Sequence, residues 1–205
     1  MIDTLYDDHY KSREKLAWEF ATILNQEAKD LEAAGVDIIQ IDEPAFNVFF
    51  DELKDWGVAA LERATEGLSC ETAVHICYGY GIKANTDWKA TRGAEWRQYE
   101  ESFPLLQQSS IDIVSLESHN SRVPADLIEL LRGKKVMLGA IEVASDTVET
   151  PEEVVATLRR ALPFVDADKL YPSTNCGMAP LNRRVAQDKM VALAAGAELL
   201  RRELP

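Results

Sequence analysis

The chain has 205 residues, 46% of them hydrophobic and 28% charged, with 35 acids against 22 Lys plus Arg and a formal net charge of −13. That length buries a sizeable core, the longest apolar runs fall far short of the roughly 20 residues that cross a bilayer, and the charge repels nucleic-acid phosphates and anionic lipid. Neither a nucleic acid nor a membrane is expected as a partner, and acids at the N-terminus, where a signal peptide carries positive charge, make a cytoplasmic protein the expectation.

Leu16, Phe20, Ile23, Leu24 and Leu31 recur at helical spacing and predict a helix over about residues 10–34, with Gly35 where a C-terminal cap belongs. The β-branched run at 36–42 predicts a strand that Pro44 ends. A helix over roughly 51–66, closed by Gly67, leads to a second strand at 72–77. A polar and aromatic loop from 82 to about 93 precedes a helix near 94–108, and the third strand spans 111–117. Pro124 opens a short helix that Gly133 closes, before a fourth strand at 135 to about 143. Thr150-Pro151-Glu152-Glu153 has the form of an N-cap, a first-turn proline and an acid at the third helical position. A fifth strand at about 170–174 and a helix over roughly 180–203 end the chain.

No linker or repeat interrupts this series, so residues 1–205 read as a single domain. Strands alternating with helices imply a parallel α/β sheet with right-handed crossovers. A doubly wound sheet and a (β/α)8 barrel both satisfy that. The barrel is favoured because no Gly-rich first turn is present and the polar residues of interest fall at strand C-terminal ends, where barrels build their sites.

Cys70, Cys77 and Cys176 are an odd, widely spaced set, which argues against a disulfide framework and leaves buried structural thiols or metal ligands. Cys70 precedes its strand, at the end away from the site, and reads as structural. His75 and Cys77 are two apart on one strand and face the same way. Glu117 closes the third strand and Cys176 follows the fifth. A set of His75, Cys77, Glu117 and Cys176 suits Zn²⁺, which accepts nitrogen, thiolate and carboxylate together. Buried small hydrophobes and a satisfied core histidine are the competing explanation.

His75-Ile76-Cys77-Tyr78, Ser115-Leu116-Glu117-Ser118 and Asn175-Cys176-Gly177, with Ile38-Ile39-Gln40-Ile41-Asp42-Glu43-Pro44-Ala45 upstream, resemble the zinc-ligand motifs of the cobalamin-independent methionine synthases, in the same order. The resemblance runs from about residue 31 to the C-terminus. It implies a (β/α)8 catalytic barrel, the four residues above as zinc ligands, homocysteine as the thiol substrate and Asp42 as the acid that holds its amino group. A free homocysteine thiol, with a pKa near about 8.5 by analogy with Cys, is mostly protonated at neutral pH, and coordination removes that proton. Two thiolates and a carboxylate leave the metal electron-rich, which favours thiol alkylation, giving methionine, over hydrolysis.

Two positions depart from the folate-using members of that family. Ala144 stands where their proton-handling His would be, and Val48 where an acid helps hold the folate. The chain is closer to the short core methionine synthases, which lack the folate-handling half, so the methyl donor is methylfolate, a corrinoid or another compound. His119, two residues past Glu117, is either the replacement proton donor or a loop histidine near the site by coincidence. The segment 79–88 is expected to serve that donor, or a partner protein, or to be a solvated loop. Competing functions are a zinc methyltransferase acting with a corrinoid or on another thiol, and a non-catalytic zinc-binding subunit. A whole barrel takes about 250 residues and eight strands. Five strands read as its C-terminal five β/α units. Such a chain is expected to bind zinc, to methylate homocysteine poorly by itself, and to self-associate or need an N-terminal partner segment.

Overall fold

A computed structural model describes residues 5–78 and 83–204. Its framework is a five-stranded, all-parallel sheet of β1 (Ile38–Asp42), β2 (Glu71–Ile76), β3 (Ile113–Leu116), β4 (Lys135–Ile141) and β5 (Leu170–Thr174). The strands lie side by side in chain order, the sequence of neighbours in a barrel wall; a doubly wound sheet would reverse at a switch point. No helix among the described residues is long and apolar enough to cross a membrane.

Alternation along each strand sorts side chains into two populations. Val74, Ile76, Val114, Leu116, Val136, Leu138 and Ala140 are fully buried against Phe103, Leu106, Ile128, Val154 and Leu158 of the covering helices and turns. The other face carries Gln40, Asp42, Glu71, His75, Ser115, Lys135, Met137 and Tyr171, all in register with one another. An ion pair between Lys135 and Glu71 crosses it, and the Lys135 ammonium lies 5.8 Å from the Tyr171 ring centroid. Ile38, Ala73 and Ile113 share this face, which is therefore mixed.

The first helix, α1 (Arg13–Ala33), ends at Gly35 (φ +95°) as its sequence predicts, but its buried stripe is turned. Leu16, Ala17, Ala21, Asn25 and Ala28 face inward, while Ile23 is 62% exposed. Alanines let α1 lie close on α4 (Gly57–Thr65), and the Asn25 amide donates to the Ala64 and Glu66 carbonyls at 3.2 and 2.9 Å, satisfying the end of α4. The single helix expected over 51–66 is two pieces, α3 (Phe50–Leu53) and α4, and a further short helix, α2 (Ala45–Val48), precedes them. Phe49 and Trp56 take non-helical backbone at the two breaks. The polar loop expected from 82 to 93 contains a helix, α5 (Lys83–Ala90), which sets Trp88 beside Tyr78 at 5.8 Å between ring centroids. Gly79–Ile82, the start of the 79–88 segment expected to serve a donor or a partner, lies outside the described residues.

Beyond α6 (Tyr99–Gln108), a 3₁₀ helix (Ala125–Leu131) replaces the short α-helix expected after Pro124. The helix start at Thr150 forms a full capping box with Glu153 and opens α7 (Pro151–Ala161); α8 (Arg183–Arg201) packs along it. A buried Lys189–Glu149 ion pair at 2.9 Å ties α8 to the segment after β4, and Glu149 also accepts the Glu142 amide at 2.9 Å.

One close approach determines where β5 delivers its loop. The Asn175 side chain lies over Gly139 of β4, accepting from the Ser118 amide at 3.0 Å and donating to the His119 carbonyl at 2.7 Å. A Cβ on Gly139 would stand 2.3 Å from Asn175 Oδ1 and 2.8 Å from its Cα. Gly139→Ala is therefore expected to cost about 1–3 kcal/mol of stability through overpacking, read as a lowered urea midpoint; an unshifted midpoint would show that the Asn175 loop yields freely.

Candidate metal centre

At the C-terminal end of the sheet, β2 carries His75 and, just past its end, Cys77, both buried. Cys176 arrives from the loop after β5, placed by the neighbouring Asn175. Although 99 residues apart in the chain, the Cys77 and Cys176 sulfurs stand 3.3 Å from one another, unlinked. Ligand atoms of His75, Cys77 and Cys176 all lie within 4.8 Å of one another, an arrangement that could hold a metal ion.

Each member is oriented by its neighbours. His75 Nδ1 meets Ser115 Oγ at 2.8 Å across the β2–β3 register, leaving Nε2 buried without a hydrogen-bonding partner among the described residues. Asn47 of α2 donates to the Cys77 carbonyl at 3.1 Å. The Cys77 thiol and the His75 imidazole hold Cys176 down to about 5, against the opposing effect of burial, so at neutral pH this pair of sulfurs carries a negative charge.

Glu117 lies beside the cluster but is engaged elsewhere. Its Oε2 accepts the Tyr78 amide at 2.9 Å and its Oε1 accepts the Lys89 ammonium at 3.1 Å. Burial pushes its pKa up while Lys89 pulls the other way. Its own amide donates to Tyr99 Oη at 3.3 Å, and Tyr99 donates in turn to the Ile76 carbonyl at 2.6 Å, which rivets the ends of β2 and β3 together.

The remaining expected residues fall at different distances from the cluster. Asp42 is exposed, accepts from the Gln40 amide at 2.8 Å, and sits opposite His75 in the β1–β2 register, so both point to the inner face. His119 faces α7, with Nδ1 3.0 Å from Thr157 Oγ1 and Nε2 3.9 Å from Glu149. Ala144 and Val48 are exposed. Cys70 lines a cleft of about 650 Å³ at the opposite end of the sheet, with Asp112 and Glu66, away from the other two thiols. Sequence reading missed Ser115, Asn175 and Lys89. Ser115 was within reach, because it stands two residues before Glu117 on the same strand and therefore on the same face. Lys89 gave no signal, since its segment lacks helical periodicity.

Comparison with known proteins bears on this constellation. The family model described as the catalytic domain of the cobalamin-independent synthases matches residues 4–198. Methionine synthases of Saccharolobus islandicus and Thermococcus kodakarensis are 30% and 32% identical, over 100% and 97% of this chain and 56% and 54% of their own lengths. A solved B12-independent methionine synthase from a Shewanella species, in complex with selenomethionine, is 77% identical with a TM-score of 0.97, over all of this chain and 60% of that one. A Listeria monocytogenes protein at 20% identity and TM-score 0.65 shares the fold. The chain thus spans little more than half the length of the curated relatives it matches. With its sheet order, its His-Cys-Cys cluster and this match across nearly its whole length, the chain belongs to the family of cobalamin-independent synthase catalytic domains.

Proposed function

We propose that this chain carries the zinc site and part of the substrate site of an S-methyltransferase that converts homocysteine to methionine. The observation that carries the reading is the convergence of His75, Cys77 and Cys176 from two distant strands. A tetrahedral zinc with bonds of about 2.3 Å to sulfur separates two thiolates by about 3.8 Å. The 3.3 Å between these sulfurs needs only a small adjustment. His75 fits as well, because Ser115 engages Nδ1 and Nε2 is buried without a hydrogen-bonding partner among the described residues. Glu117, at the adjoining strand end, is the fourth candidate ligand. Zinc, when bound, would supply the positive charge that makes a substrate thiol a thiolate at neutral pH.

The protein's own groups supply the rest. Two cysteine thiolates keep the centre electron-rich, which suits attack by sulfur on a methyl group better than activation of water. Asp42, on the same face as His75, offers a carboxylate for the amino-acid ammonium. The Shewanella relative's complex with selenomethionine, a methionine analogue, supports methionine as the product here. Methylfolate is disfavoured as donor by Ala144 and Val48, leaving a corrinoid or another methyl compound. His119 bonds to Thr157 of α7, and this supports a role in holding its loop over proton delivery.

One zinc per chain is the expected stoichiometry by metal analysis. Cys77→Ala, Cys176→Ala and His75→Ala should each lose most of it and Cys70→Ala none; full retention in both Cys77→Ala and Cys176→Ala would rule out this ligand set. A second expectation concerns Asp42. In binding titrations of the zinc-loaded protein, wild type should prefer homocysteine over its des-amino analogue by about tenfold, and Asp42→Ala should abolish that preference without losing zinc. A preference that survives Asp42→Ala would remove this residue from the substrate site.

A further inference from the structure

We infer that Lys89 is a positioning residue that holds the Glu117 carboxylate off the His75–Cys77–Cys176 centre, and so keeps one coordination position open to a substrate thiol. The inference rests on the metal reading proposed above and adds a role for a residue outside the ligand motifs.

The geometry is asymmetric. Three ligand-type side chains converge within 4.8 Å, and Glu117 is not among them. Both of its oxygens are engaged, one by the Tyr78 amide at 2.9 Å and the other by Lys89 Nζ at 3.1 Å. The pair is buried, with 13% of the Lys89 side chain and 7% of the Glu117 side chain exposed. Lys89 is itself placed: its ammonium lies 5.4 Å from the Trp96 ring centroid, and Trp96 packs on Tyr78 at 4.9 Å. The Tyr99 bridge holds the Glu117 backbone, so an approach of the carboxylate to the cluster would be by side-chain rotation away from Lys89.

Charge explains why such a partner is needed. Two cysteine thiolates, a carboxylate and a substrate thiolate would set four anions around one dication. Withdrawing the carboxylate reduces the count to three, but a buried carboxylate left without a counter-charge is strongly disfavoured. Lys89 offers that counter-charge within hydrogen-bonding reach. A catalytic zinc site commonly keeps three protein ligands and an exchangeable fourth position, and the Lys89–Glu117 pair produces that state from a four-ligand set.

The test measures zinc affinity by competition with a chromophoric chelator, and the visible spectrum of the Co²⁺-substituted chain during homocysteine titration. Lys89→Met should free Glu117 to compete for the metal. It should tighten zinc roughly tenfold, the scale of one charge-assisted hydrogen bond, and raise the homocysteine concentration needed to shift the Co²⁺ spectrum. Lys89→Arg should restore wild-type behaviour. In a Glu117→Ala background, Lys89→Met should produce no gain, because the competing carboxylate is gone. Equal zinc affinity in Lys89→Met and wild type would overturn the inference. A gain that persists in the Glu117→Ala background would overturn it too, since it would mark through-space repulsion between Lys89 and the metal. Both results leave the metal reading standing, whereas a wild-type chain that binds no metal overturns both.

Discussion

The metal-type centre depends on one buried amide. Asn175 bonds the Ser118 amide and the His119 carbonyl and fills the space a side chain at Gly139 would occupy, so the loops after β3 and β5 are locked across β4. Cys176 is the next residue. Its sulfur comes within 3.3 Å of Cys77, delivered by the residue that those two bonds hold. A thiol brought in by a loop would ordinarily sample many positions; here the side chain before it is bonded at both ends, which favours a preorganised soft-ligand set.

Much of this was written plainly in the chain. β5 has its expected bounds, and the Thr150 capping box forms as its spacing demands, because both are dictated by contacts a few residues apart. His75 and Cys77 share a face for the same local reason. The errors arise where distant packing decides. Large apolar residues pointed α1 one way, yet Ala17, Ala21 and Ala28 allow a closer approach to α4, and closeness won over side-chain size. α5 was unreadable because its ordering comes from aromatic contacts with Tyr78 and Trp96, made by a segment with no apolar stripe of its own. Lys89, which rides on that helix, was hidden with it.

The electrostatics of the centre run against those of the molecule. A chain with a net charge of −13 gathers two thiols and a buried carboxylate in one place, and only local groups make that tolerable. The Tyr78 amide and the Lys89 ammonium meet the carboxylate, while a neighbouring thiol and an imidazole share the charge of Cys176. Anionic surface plays little part at such short range, since screening in water confines it to about 10 Å. The acidic exterior and the anionic centre are separate features with separate origins.

The strands sort odd from even with unusual economy. On β2, Val74 and Ile76 serve the core while Ala73, His75 and Cys77 serve the opposite face; on β3, Val114 and Leu116 alternate with Ser115 and Glu117 in the same way. Exchange at Val74 or Val114 falls on the packed parity and a changed donor on the other, while Tyr99, bonded to the Ile76 carbonyl and the Glu117 amide, is where the two layers join. Such a sheet is a partition between two inheritances. Repacking of the helical side that spares Tyr99 leaves the polar side as it is, and the two histories meet at that one residue.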